Sequence, residues 1–285
     1  MQRIETVSAL RTQIKDWRQQ NHTVAFVPTM GNLHQGHLSL VEKALQRADK
    51  VVVSIFVNPL QFDQSADLAA YPSTLEQDIQ QLTNSNCDGL FTPTVDEMYP
   101  QRMDNQTVIS VPNMDTLCGR DRPGHFDGVA TVVVKLFNMV QPDLALFGEK
   151  DYQQLLLIKK MVADLNLPIE IIGVPTYREA SGLAMSSRNH YLSEQQQERA
   201  AELYQTLLSV QRQLQHGAQD FLLLQQRAMS ELQQSGFQPD YVAIYRAEDL
   251  EQAKYGDKDL RILGAAQIGK ARLIDNIACD LTLSW

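Results

Sequence analysis

The chain has 285 residues, 44% hydrophobic and 21% charged, which excludes a disordered or fibrous protein and suggests about two domains. Lys and Arg number 25 against 34 Asp and Glu, a net charge of −9. So acidic a chain lacks the electrostatic footprint for nucleic acid, and any anionic small ligand must be held by local cations and backbone N–H groups. Cys87, Cys118 and Cys279 lie far apart with no CxxC spacing, against a disulfide scaffold or a cysteine zinc site and in keeping with a reducing compartment. No apolar leader follows Met1, and the uncharged run Val51 to Phe62 is too short to span a bilayer, so a soluble cytoplasmic protein without a membrane partner is expected.

In chain order, Val24 to Val27 is a strand-like run that stops at Pro28, and Leu38, Val41, Leu45 and Ala48 mark one helix face. Val51 to Val57 reads as a strand covered on both faces. Ser73 or Thr74 caps a helix to about Leu82; Gly89 to Phe91 is a short strand, and Val108 to Val111 another. Val129 to Val140 reads as a helix, Leu144 to Phe147 as a strand, Tyr152 to Leu165 as a helix and Ile169 to Val174 as a strand. This alternation predicts an α/β fold with a parallel sheet and helices on both faces, ligands sitting beyond the carboxyl ends of the strands. Past about Thr176 the order changes. Ser193 and Gln196 have capping-box spacing; Leu203, Leu207, Val210 and Leu214 share a helix face; a second helix runs from Asp220 to Ser235. Strands are predicted at Tyr241–Tyr245, Arg261–Ala266 and Ala271–Ile274, giving a smaller α+β domain over residues 177–285 after a first domain over 1–176.

Three strand-end or junction segments carry chemistry. The first is Pro28 to Leu38, where Gly31 and Gly36 allow close approach to the backbone and His34 and His37 stand at the opening turn of a helix. Free N–H groups and positive partial charge there attract phosphate, and two imidazoles add donors for a pyrophosphate leaving group. The same pair also suits plain capping or the start of a metal site, for which no third ligand is evident. The second is Phe147 to Gln154, with Lys150 a phosphate cation and Asp151 its ion-pair partner, a helix cap or a ribose ligand. The third is Gly182 to Asn189, two hydroxyls and an arginine at the domain junction, either a loop over a triphosphate or a linker.

Met30 to His37 resembles the HxGH signature of the adenylyl-transferring Rossmann superfamily, and Met185-Ser186-Ser187-Arg188 its second, Lys-Met-Ser-Lys-Ser-type loop. Within it the chain closely resembles the pantoate–β-alanine ligase family. The matching stretches are Pro28–His37, Val57–Phe62, Tyr71-Pro72, Pro93–Pro100, Arg122–Phe126, Gly148–Gln154, Met185–Asn189 and Arg272–Asn276. The resemblance implies a Rossmann-like domain and a smaller domain closing over the active site. It implies ATP-dependent condensation of (R)-pantoate with β-alanine to pantothenate, AMP and pyrophosphate, through pantoyl adenylate.

Carried over residue by residue, the resemblance implies catalytic roles for His37 (the proton donor), His34 and Lys150. ATP would meet Met30, Gly31, Asn32, Leu33, His34, Gln35, Gly36 and His37, then Gly148, Glu149, Lys150 and Asp151, and Tyr177, Met185, Ser186, Ser187 and Arg188. Gln61 and Gln154 would bind pantoate and β-alanine; Mg²⁺ is implied, with Asp78 as its protein contact although Gln77 stands where some relatives carry a carboxylate. A homodimer is implied as well. The rival readings are a nucleotidyltransferase that leaves AMP on its product, a tRNA synthetase fragment, which the acidic charge disfavours, and a non-catalytic nucleotide sensor.

Overall fold

The apolar runs of the first half pair side by side in one sheet. The computed structural model describes residues 1–62, 68, 71–72 and 74–282. The chain divides into two compact units, Met1–Glu149 with Gln153–Pro175, and Lys150–Tyr152 with Thr176–Trp285. In the first, β1 (Gln2–Ile4), β2 (Val24–Thr29), β3 (Lys50–Ile55), β4 (Gly89–Phe91), β5 (Leu144–Gly148) and β6 (Glu170–Val174) form a sheet in the order β1-β4-β3-β2-β5-β6. Every pairing is parallel. The connections include α1 (Val7–Gln19), α2 (Gln35–Leu45), α3 (Leu75–Asn84), α4 (Val95–Met98), α5 (Cys118–Asp121), α6 (His125–Val140) and α7 (Tyr152–Asp164).

Side chains alternate across the sheet, and helices cover both faces. Ala25, Val27, Val51, Val53 and Leu146 share one core with Leu40, Val41 and Ala44 of α2 and Leu82 of α3. On the opposite face, Phe26 and Phe147 each meet Phe137 of α6 edge-on, with ring centroids 6.4 and 6.3 Å apart. From β2 the chain builds outward through β3 and β4, then returns to place β5 on the other side. That reversal opens the crevice beyond the carboxyl ends of β2 and β5.

Several boundaries differ from the sequence expectations. β2 runs through Pro28 to Thr29. Asp143 N donates to Val24 O, so the even-numbered residues of β2 face β5, and the β2–β5 ladder ends at Phe26. The N–H that Pro28 lacks therefore has no β5 partner to lose. β3 ends at Ile55 rather than Val57, and α2 begins at Gln35, ahead of Leu38. Val108 to Val111 is not a strand; Ile109 N donates to the Thr131 hydroxyl of α6, and Val108 is exposed. Thr74 stands before α3, while the alternative cap Ser73 lies outside the described residues.

In the second unit, β7 (Gln238–Arg246), β8 (Asp259–Ile268) and β9 (Ala271–Asp280) form an antiparallel sheet, each longer than its apolar signal. With them are α8 (Glu194–Ala200), α9 (Glu202–Gln215) and α10 (Phe221–Gln234). Ser193 and Gln196 make the reciprocal bonds of the expected capping box. Leu203, Leu207, Val210, Leu224 and Leu232 pack with Val242, Ile262 and Leu273 in a core of their own. All three cysteines are free thiols; burial pushes Cys87 up to about 12 and Cys279 up to about 11, so neither is a nucleophile near neutrality.

Candidate active site

β2 delivers the chain to the crevice, where Gly31 (φ +81°) and Asn32 (φ +51°) turn it through left-handed conformations. A Cβ on Gly31 would lie 3.0 Å from Ile55 Cγ2 and 3.1 Å from Asp78 Oδ2, so only glycine fits without displacement. Asp78, buried on α3, holds this turn from below. Its Oδ2 accepts from Asn32 N (2.9 Å) and the Thr74 hydroxyl (3.1 Å), and its Oδ1 from Leu33 N (2.8 Å).

The turn leads into α2, whose cap is built from both histidines. Gly36 N donates to His34 Nδ1 (3.1 Å), and His34 N donates to His37 Nδ1 (3.3 Å), a reciprocal cap with the rings 4.1 Å apart. Because each Nδ1 accepts, the proton of each neutral ring belongs on Nε2. The helix end thus combines positive partial charge with two imidazole N–H groups, while the Gly36 and His37 backbone N–H groups are taken up by His34 Nδ1 and His34 O. Leu33 is buried beneath this loop, Met30, His34, Gly36 and His37 are half-buried, and Gln35 is exposed.

Beyond β3, a 3₁₀ turn over Pro59–Gln61 presents Gln61, which is buried. Its Nε2 donates to Met30 Sδ (2.9 Å) and its Oε1 accepts from Asn58 Nδ2 (3.2 Å). Asn58 is itself fixed, accepting from the Tyr99 hydroxyl (2.7 Å) and donating to Gly128 O (3.1 Å). Arg122 Nη2 (3.2 Å) and His125 Nδ1 (2.8 Å) both meet the Gln61 carbonyl. Asn58, Arg122 and His125 lie within matching stretches; Asn58 is only three residues from Gln61, but Arg122 and His125 reach its carbonyl from more than sixty residues away, which no local pattern reports. Gln154, half-buried on α7, has no side-chain hydrogen bond among the described residues. Its neighbour Gln153 is buried and bonded to the entry of α5, accepting from Cys118 N and donating to Thr116 O.

β5 ends at Gly148, beside β2, and Glu149 follows. Lys150, Asp151 and Tyr152 belong to the second unit. The Lys150 side chain is 15% exposed, and its Nζ lies 3.8 Å from Asp151 Oδ1, a loose pairing that leaves the ammonium able to meet another anion. A cavity in this unit is lined by Lys150, Ser186, Arg188, Asn189, Arg272 and Asp275 among others. Ser186 Oγ accepts from Arg188 N (3.2 Å), starting a 3₁₀ turn over Ser187–Tyr191; Tyr177 is exposed, and its carbonyl accepts from Met185 N (3.0 Å). Within the first unit the structure brings together Met30 to His37, Gln61 and Asp78. Within the second it brings together Lys150, Ser186 and Arg188.

The model of the pantoate–β-alanine ligase family matches residues 2–278. The chain belongs to that family. It is 55% identical to the pantothenate synthetase of Shewanella loihica, an alignment covering 97% of this chain and 98% of that one. The crystal structure of pantothenate synthetase from Thermus thermophilus superposes with a TM-score of 0.90 at 43% identity, over 97% of this chain and 99% of that one. A pantoate–β-alanine ligase from Francisella tularensis, complexed with β,γ-ATP and β-alanine, superposes with a TM-score of 0.82 at 36% identity, over 97% of each chain. This ligase therefore uses ATP to form the amide bond between pantoate and β-alanine.

Proposed function

We propose that pantoyl adenylate forms at the α2 N-terminus, in the crevice beyond β2 and β5. The observation that carries this reading is the reciprocal cap of His34 and His37, which orders two Nε2–H donors at the positive end of a helix. A pantoate carboxylate oxygen attacks the α-phosphorus, the bond to the β-phosphate oxygen breaks, and pyrophosphate leaves. Two imidazole donors, with His37 the proton donor, meet that leaving charge. Lys150 steadies the α-phosphate, Ser186, Ser187 and Arg188 hold the outgoing phosphates, and Asp151 takes the ribose. The nucleotide lies along Met30 to His37, Gly148, Glu149, Tyr177 and Met185. The β-alanine amine then attacks the acyl carbon, its proton departs, and AMP is released. Positioning does most of the work, since no covalent enzyme intermediate is needed.

Gln61 and Gln154 orient pantoate through its hydroxyls and carboxylate, because a carboxamide both donates and accepts. The fixed Gln61 amide supports this role, since a pinned polar group discriminates against analogues that lack its partner. Mg²⁺ accompanies the nucleotide and supplies charge neutralisation on its phosphates. A protein-held cation at Asp78 does not fit the donor set, since both its oxygens already serve the loop. Among the described residues no group of three or more His, Cys, Asp or Glu could hold a metal. A cytoplasmic homodimer completes the reading by family resemblance; no helix among the described residues is long and apolar enough to cross a membrane.

The test is pyrophosphate release from ATP, Mg²⁺ and pantoate, before and after β-alanine is added. A stoichiometric burst that becomes steady turnover with AMP release is expected, and His37→Ala is expected to slow the burst about 100-fold or more while folding normally. Wild-type bursts from that variant would remove His37 from the chemistry.

A further inference from the structure

Asp275 and Asn276, adjacent on β9, contact no substrate in the reading above, yet they hold both phosphate-binding segments of the second unit. The Asp275 side chain is 3% exposed and pairs with Arg178 through two bonds, Nη1 to Oδ2 (2.6 Å) and Nη2 to Oδ1 (2.9 Å). Arg178 Nη1 also donates to Gly182 O (3.1 Å), its guanidinium lies 3.7 Å from the Tyr204 ring centroid, and its backbone bridges to Ala184. The chain is thereby clamped two residues before Ser186. On the far side, Asn189 Nδ2 donates to Ala184 O (3.1 Å) and to Glu179 Oε1 (3.3 Å). Ser186 to Arg188 is tied at both ends.

Asn276 does the same for the other segment. Its Nδ2 donates to Lys150 O (2.8 Å), while its Oδ1 accepts from Arg261 Nε (2.6 Å). Consecutive Cα atoms are about 3.8 Å apart across a trans peptide, so the two anchors have a fixed spacing. A buried ion pair is a poor source of net stability compared with apolar packing, but its two-pronged geometry specifies orientation. We propose that Asp275 and Asn276 are positioning residues for ATP, setting the distance between Lys150 and the Ser186–Arg188 loop so that both engage one triphosphate. The proposal rests on the reading that those two segments bind phosphate.

Three near-isosteric variants test it. Asn276→Asp keeps an acceptor for Arg261 and loses the donor to Lys150 O; Asp275→Asn keeps shape but loses charge. Arg178→Lys keeps charge without the fork and serves if Asp275→Asn does not fold. Two readouts are compared: the KM for ATP in pyrophosphate release, and conversion of supplied pantoyl adenylate with β-alanine, which needs no triphosphate. The expected result is an ATP KM raised about tenfold in each variant, with adenylate conversion within about twofold of wild type. Equal loss in both half-reactions would mean a merely structural role and overturn the proposal. If Lys150→Ala slows pyrophosphate release while all three variants use ATP normally, the positioning role is wrong and the phosphate reading stands. If Lys150→Ala also uses ATP normally, the phosphate reading fails and takes the proposal with it.

Discussion

Asp78 has three of its roughly four lone-pair positions filled by Asn32 N, Leu33 N and the Thr74 hydroxyl. A carboxylate so engaged works as a clamp on the turn that feeds α2, and the histidine cap depends on that turn. Asp78→Asn replaces one acceptor oxygen with an NH₂ that faces a donor, leaving a buried N–H without a partner. The cost of such a group is about 1–3 kcal/mol, which corresponds to a loss of about 5- to 150-fold if it falls on ATP use. The expected outcome is a kcat/KM for ATP lowered within that range. The free Mg²⁺ concentration giving half-maximal rate is expected to stay where it is in the wild type. A Mg²⁺ midpoint that rose in step with the lost activity would return Asp78 to the metal.

At the scale of elements, the close seat of α6 on the Pro59–Gln61 turn shows how packing serves specificity. A Cβ on Gly128 would fall 2.3 Å from Leu60 O and 2.9 Å from Gln61 Cα, both backbone atoms with no freedom to yield. Gly128→Ala must push the turn away from α6, weaken the Asn58 bond to Gly128 O, and shift the Gln61 amide. A destabilisation of about 1–3 kcal/mol is expected by denaturant unfolding, with a rise in the KM for pantoate larger than that for β-alanine. An unchanged pantoate KM would separate Gln61 from pantoate binding. The strand-end loops were legible in sequence because each signal is local: glycine, histidine pair and apolar run lie within a dozen residues. α1 carries an equally local signal, Leu10, Ile14 and Trp17 on one face behind the Thr6 cap. Val108 to Val111 was misread because β-branched residues suit any extended backbone, and only the Thr131 hydroxyl decides where this one bonds. What holds the site is non-local: Asp78 lies 46 residues from Asn32, and Asp275 lies 97 from Arg178. No periodicity or motif reports such pairs.

For the molecule as a whole, chain order and structural membership part company at Lys150–Tyr152. These residues sit between β5 and the body of α7, yet their partners belong to the second unit. The Tyr152 hydroxyl donates to Ala247 O (2.9 Å), and the Arg261 guanidinium lies 3.9 Å from its ring centroid. Arg261 is only 7% exposed, and that ring and Asn276 Oδ1 are among the groups that meet its guanidinium. Removing the ring takes away a buried cation–π contact and the bond to Ala247 O, at a cost of about 2 kcal/mol. That loss should be felt where Arg261 sits, not where residue 152 sits in sequence. In Tyr152→Ala, amide hydrogen exchange is therefore expected to quicken across β8 and β9, while β2 and β5 keep their wild-type protection. Exchange that quickened instead along α7 and β5 would mean that Tyr152 serves the helix it begins. It would also leave the Lys150 carbonyl without the neighbouring anchor that holds it beside Asn276.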